Sequence, residues 1–148
     1  MSIIDAVTLT TMTDLATPRI IVGAVIVLGG KVLAGERTGP QDMVGRWEFP
    51  GGAVEPGETE QQAVARECVE ELGVVVDVGD RVGMDATIRP GKSILRVYAA
   101  TVRDQAEPRP MQQQQLRWLS IDELGTVPWL PADAAVVADV AALLRFAG

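Results

Sequence analysis

The feature that most narrows what this chain can become is the run IIVGAVIVL at residues 20–28. It is apolar and largely β-branched, a composition that suits a pleated, buried surface. Gly29-Gly30 follows as a two-residue hairpin turn, and residues 31–36 return as the partner strand. Trp47-Glu48-Phe49 alternates as a short strand and is expected to stop at Pro50-Gly51-Gly52. Residues 74–88 and 93–103 read as longer strands around a turn at Arg89-Pro90-Gly91-Lys92, and residues 116–119 as one more.

Two segments carry helical spacing instead. Thr59 suits an N-cap, Val64, Cys68 and Leu72 form one apolar stripe with Ala65 beside it, and Gly73 suits the C′ position. A helical turn is expected at residues 121–124. A last helix follows Pro131, with Val136, Val137, Val140, Leu143 and Leu144 on its buried side. Mixed strands with one helix in the middle and one at the end predict an α/β fold, an α/β/α sandwich with a mixed β-sheet between helices. One domain is expected over residues 18–148, with the Thr-rich residues 1–17 as an N-terminal appendage.

Composition removes several function classes. A net charge of -7 argues against coating long nucleic acid, which needs a basic face. It permits a small phosphorylated ligand, because bound Mg²⁺ can reverse the local sign of an acidic pocket. With no histidine at all, histidine triads and zinc–histidine sites are excluded. Cys68 is the sole cysteine, so no internal disulfide can form and a reducing cytoplasm is the expected location. The first 17 residues hold no Lys or Arg, unlike a secretory signal. No apolar run approaches the roughly 20 residues that span a bilayer, so no membrane partner is expected.

The chemistry sits in GGAVEPGETEQQAVARECVEELGV, residues 51–74. Glu67, Glu70 and Glu71 stand at i, i+3 and i+4, so a helix places three carboxylates on one face, expected to point to solvent. Like charges at these spacings cost about 0.2–0.5 kcal/mol per pair. Arg66 reaches Glu70 at i+4, but one guanidinium cannot balance three acids. Such hard oxygen donors suit Mg²⁺, with Mn²⁺ as substitute; the plain alternative is a solvated acidic helix.

The surrounding residues favour the metal. Gly52, five residues, Glu58, seven residues, Arg66-Glu67, Cys68, one residue, Glu70-Glu71, one residue, Gly73 and Val74 follow the pattern G-x(5)-E-x(7)-R-E-U-x-E-E-x-G-U. This resembles the Nudix box, and the wider stretch with WEFPGG before it resembles the MutT-like branch of that superfamily. Cys68 stands where the family usually has Leu, Ile or Val. The resemblance implies that the Gly51 carbonyl and Glu67, Glu70 and Glu71 bind metal. It gives Glu58 a supporting role behind them, and has Arg66 orient a glutamate. Arg37 matches a substrate-contacting arginine of MutT-like enzymes, and Gly52 lies in the substrate-binding loop. The implied reaction is hydrolysis of a nucleoside triphosphate to the monophosphate and pyrophosphate, by a monomer or homodimer.

Two positions depart from the family. Counting six residues back from Trp118, where MutT-like enzymes often carry a further glutamate, gives Gln112, with Glu107 the nearest upstream carboxylate. Ala53 stands where lysine is common. Asp133 occupies the position where the branch that reads oxidised guanine usually has asparagine. An ionised carboxylate only accepts, which suits the exocyclic amino group of cytosine. Hence (d)CTP or a modified cytosine nucleotide is the expected substrate, with Trp47 or Phe49 as a candidate stacking surface; Asp133 as a helix cap is the plain alternative. Competing readings are an 8-oxo-dGTP diphosphatase, an ADP-ribose or sugar-nucleotide hydrolase, and an inactive Nudix-like nucleotide-binding module.

Overall fold

A computed structural model describes residues 17–112 and 114–146; residues 1–16, most of the expected appendage, lie outside them. The first strand, β1 (Arg19–Leu28), turns through Gly29 and Gly30 into β2 (Lys31–Glu36). Both glycines have positive φ, 57° and 74°, as a tight right-twisted hairpin demands. Then come β3 (Trp47–Glu48), β4 (Gly51–Ala53), helix α1 (Glu60–Leu72), β5 (Val76–Arg89), β6 (Ser93–Val102) and β7 (Gln115–Leu119). Helices α2 (Pro131–Ala134) and α3 (Val137–Phe146) close the described chain.

The strand order is β3-β2-β1-β6-β5, with β7 on β2 and β4 on β1. β1 pairs in parallel with β6 along one edge. Its other edge changes partner: Ile21 to Gly23 face β4, while Val27 and Leu28 face β2. The β3 strand does end before Pro50, but the Pro50-Gly51-Gly52 stretch was not expected to carry a strand of its own. The glycines begin a new strand, because β1 leaves an open edge there and their missing side chains allow the approach.

Alternation along the strands feeds two cores. Val22, Ala24 and Ile26 pack with Ala63, Val64, Cys68 and Leu72 of α1 on one face. On the other, Val25, Val97, Leu95, Trp47 and Phe49 meet Val136, in the link between the C-terminal helices, and Val140 and Leu144 of α3. This is the expected sandwich. The α1 stripe gains Ala63 rather than Ala65, and the C-terminal helix is broken between Ala134 and Val137. Thr59 caps α1 through a reciprocal pair with Gln62, and Gly73 ends it at φ 66°. No helix among the described residues is long and apolar enough to cross a membrane.

Candidate active site

Glycines set the geometry of the acid cluster. A Cβ on Gly51 would lie 1.8 Å from the Val22 carbonyl oxygen, and one on Gly52 would lie 2.4 Å from Glu67 Oε1. The Gly51 position is closed to side chains by the β1 backbone, while at Gly52 a side chain would have to displace the Glu67 carboxylate. The Gly51 N–H then donates to Glu71 Oε2 at 2.9 Å.

Arg66 ties the same loop to the helix. Its Nε and Nη2 donate to the two oxygens of Glu58 at 2.7 and 3.1 Å, a bidentate pair. Nη2 also donates to the Ala53 carbonyl at 3.0 Å, while Nη1 reaches Glu67 Oε1 at 2.9 Å and Glu70 Oε2 at 3.3 Å. Glu58 Oε1 additionally accepts from the Glu55 N–H, so Glu58 links the loop to Arg66. The Arg66 hydrogen bonds hold the Glu58 carboxyl below its ordinary value.

The expectation that all three acids face solvent is corrected. Only the Glu70 side chain is open, at 53% exposure; Glu67 keeps 14%, and Glu71 is half-buried under β4. Desolvation raises the Glu67 carboxyl despite Arg66. Glu71 is pushed up to about 8, first by burial and then by the charges of Glu67 and Glu48. Arg66 satisfies Glu58, Glu67 and Glu70 and does not touch Glu71, whose rise is opposed only by the Gly51 amide and the charge of Arg37. Among the described residues no three acids converge at ligand distance around one point: Glu67 is turned onto Arg66 and Glu71 onto the Gly51 amide. The donor chemistry still fits a hard divalent cation, whose charge would reverse the repulsion that raises these carboxyls.

Beside Glu71 opens a cavity of about 180 Å³ walled by Arg37, Glu48, Pro50, Gln112 and Gln114. Arg37 Nε donates to the Gly39 carbonyl at 2.9 Å, and its Nη1 donates to both Glu48 oxygens at 3.1 and 3.3 Å. Glu48 was missed by sequence reasoning. Burial raises its carboxyl although Arg37 opposes the rise. The signal available was its place between Trp47 and Phe49, which turns it to the opposite side from two core aromatics. Gln112 does line the cleft, as its count from Trp118 implied, whereas Glu107 belongs to a neighbouring groove with Pro108, Pro110 and Trp118.

The aromatic expectation is corrected as well. Trp47 and Phe49 are 6% and 3% exposed and belong to the core. The Phe49 ring lies 4.8 Å from that of Trp129, and Arg117 sits over Trp47. The cause is a second pairing: Trp47 exchanges backbone hydrogen bonds with Pro128 and Leu130 and draws the 127–130 segment across both rings. Where that pairing ends, Asp133 takes over, its Oδ1 accepting from the Phe49 N–H at 3.0 Å. Asp133 is not the N-cap of α2, which is Leu130. Nor is it fully ionised at neutral pH: burial and the charge of Glu48 push it up to about 7 against the pull of the Phe49 amide.

A glycine-laced loop and an acid-rich helix flanking an arginine-lined cleft define the class. Residues 17–140 match the NUDIX domain family, and the chain belongs to the Nudix hydrolases. It is 44% identical over 130 residues to the "Putative 8-oxo-dGTP diphosphatase 2" of Mycobacterium tuberculosis, covering 86% of this chain and 91% of that one. It is also 38% identical over 114 residues to the CTP pyrophosphohydrolase of Escherichia coli, covering 76% and 84%. Among solved structures, the E. coli ORF135 protein superposes with a TM-score of 0.74 at 36% identity, covering 88% and 93%.

Proposed function

We propose that this hydrolase cuts a nucleoside triphosphate into a monophosphate and pyrophosphate with Mg²⁺, or Mn²⁺ in its place, and prefers CTP, dCTP or a 5-substituted cytosine nucleotide. The observation that carries the reading is the unpaired, half-buried Glu71, held by the Gly51 amide at the edge of the Arg37 cleft. The residues that would hold the ion are Glu67, Glu70, Glu71 and the Gly51 carbonyl. Bound there, Mg²⁺ would neutralise phosphate charge and make an attacking water more acidic. Arg66 orients Glu67, Glu58 braces Arg66, Gly52 leaves room for Glu67, and Arg37 contacts the phosphates or sugar. Residues 18–148 would be the catalytic unit, in a cytoplasmic monomer or homodimer.

The choice of base rests on Asp133. With one oxygen engaged by Phe49, its carboxylate has a second oxygen to accept the cytosine amino group. The similarity to the CTP pyrophosphohydrolase supports this choice. An 8-oxo-dGTP reading is favoured by the higher identity to the putative 8-oxo-dGTP diphosphatase, and by a carboxyl poised at about 7, which also exists protonated and then donates to a purine edge as an amide would. A panel of CTP, dCTP, 5-methyl-dCTP, 8-oxo-dGTP and ADP-ribose, assayed with Mg²⁺ for pyrophosphate against phosphate release, separates the two. A preference for 8-oxo-dGTP of about tenfold or more in kcat/KM, the low end of what one extra methylene can discriminate, sinks the cytosine reading.

A further inference from the structure

The last four carbonyls of any α-helix lack partners within it. In α1 the Gly73 and Val74 amides fold back to Val69 and Cys68, which leaves the later carbonyls open. A distant segment meets two of them. The Arg109 N–H donates to the Leu72 carbonyl at 2.9 Å and the Met111 N–H to the Glu71 carbonyl at 3.0 Å. Pro108 and Pro110, which have no N–H, alternate with these two donors, so the segment spends its amides on the helix end. The Met111 side chain rests against Gly73, within van der Waals reach of where a Cβ would stand.

Directly after these anchors come the residues that wall the cleft. The Gln112 N–H donates to Gln114 Oε1 at 3.0 Å, and Gln114 Nε2 points at the Glu71 carbonyl at 3.5 Å. Glu71 is therefore gripped twice, its carboxylate by the Gly51 amide and its carbonyl by this segment. Glu67, one turn earlier, is gripped by Arg66 instead. Glu71 lies in the last turn, where helices fray, and has no such cation.

We infer that residues 107–112 with Gln114 form a positioning strap for the acid helix. The Met111 amide and the Gln114 carboxamide are its positioning groups, holding Glu71 in register with Gly51 and with the Gln112 side of the cleft. The inference rests on the reading of Glu71 as catalytic. It extends that reading to a segment that carries no charge into the cleft and makes its contact through main-chain carbonyls. A displacement of the order of 1 Å at a reacting group costs about a hundredfold in rate, so a partial loosening has a measurable effect.

Two variants separate the contacts. Met111→Pro deletes the N–H that meets Glu71, and Gln114→Glu keeps the acceptor for the Gln112 amide while removing the donor to Glu71. Each is expected to lower kcat about tenfold with KM within about threefold, a partial version of that misplacement cost. In Gln114→Glu, hydrogen exchange at the Met111 amide should speed up while the melting temperature stays close to wild type. Combined with Glu71→Gln, either strap variant should add no further loss, because both act through the same group. A strap that merely stabilises the fold would instead lower kcat by the same factor in both backgrounds, which overturns the inference. So does unchanged kcat in both variants while Glu71→Gln is inactive, and that result leaves the site reading standing. Normal turnover by Glu71→Gln overturns the site reading and the strap together.

Discussion

The acid loop–helix and the aromatic corner are neighbours along the chain, with Phe49 only two residues from Gly51, yet different physics governs them. In the loop–helix, function follows local geometry. Helical spacing groups the acids, a capping box and a left-handed glycine frame them, and Arg66 closes loop onto helix within eight residues. In the corner, each side chain is placed by a partner about 80 residues away: Trp47 by the 127–130 segment, Phe49 by Trp129 and Asp133. Spacing predicts the first and is blind to the second. The same contrast appears in the charges, since Arg66 reaches four acids near it in sequence, Glu55, Glu58, Glu67 and Glu70, while Glu48 raises Glu71 and Asp133 across elements.

That contrast can be broken most decisively at the metal-binding end. Glu71→Gln and Glu67→Gln are expected to lower kcat by orders of magnitude while the fold survives, because an amide oxygen can still accept from Gly51. EDTA should have the same effect on wild type. Full turnover in EDTA, or by either variant, would remove the acid helix from the mechanism.

The two glycines come next and should separate stability from rate. Gly51→Ala drives a Cβ into the Val22 backbone, which cannot yield, so the loss should be of folded protein, about 2 kcal/mol or more by analogy with overpacked cores. Gly52→Ala meets the end of the Glu67 side chain, which can swing. Its melting temperature should move little while kcat falls about tenfold or more, the scale set by a misplaced reacting group. Equal effects on melting and rate at both positions would erase the distinction.

At the corner the expected effects are smaller and depend on pH. Between about pH 4 and 7 the unfolded chain has released the Asp133 proton and the folded chain has kept it. Wild-type stability should therefore fall as pH rises through that window and level off above it. Asp133→Asn lacks this loss and should melt several degrees higher than wild type at pH 8 relative to pH 4.5, a few kcal/mol at most. The same variant should weaken cytosine nucleotides selectively, and an equal loss on every substrate would detach Asp133 from base choice. The smallest effect is expected from Gln112→Glu: a few-fold rise in kcat or a displaced pH optimum, as a carboxylate is added to the cleft wall. An unchanged pH–rate profile would place the proton acceptor elsewhere.

The legible parts of the molecule were those written in short-range code. The hairpin at Gly29-Gly30, the α1 boundaries and the turn at Arg89 to Lys92 lie where propensity and turn chemistry predict them. The Gly51–Ala53 strand was not legible, since a Pro-Gly-Gly sequence reads as a stop until β1 is known to have an open edge. Trp47 and Phe49 read in sequence as either a binding surface or core, since aromatic residues near a substrate loop serve both purposes; only the pairing with residues 128–130 decides for the core. Glu48 stayed hidden for a related reason, as its partner Arg37 and its neighbour Glu71 come from other elements.

The parallel pairing of β1 with β6 reaches into how the protein is made. Arg19 stands opposite Ser93 and Ile26 opposite Ala100, so β1 finds its parallel partner only about 74 residues further along the chain. Everything that forms the acid loop and its helix is translated inside that interval. The helix can coil early and meet Val22, Ala24 and Ile26 of β1, but the part of its floor made by Tyr98 and Ala100 does not exist until the sixth strand emerges. A nascent chain stalled before Ser93 can pair β1 with β2 and β4 and pack it on α1 but leaves its β6 edge open, and it is at that stage that a chaperone has an unpaired strand edge to bind.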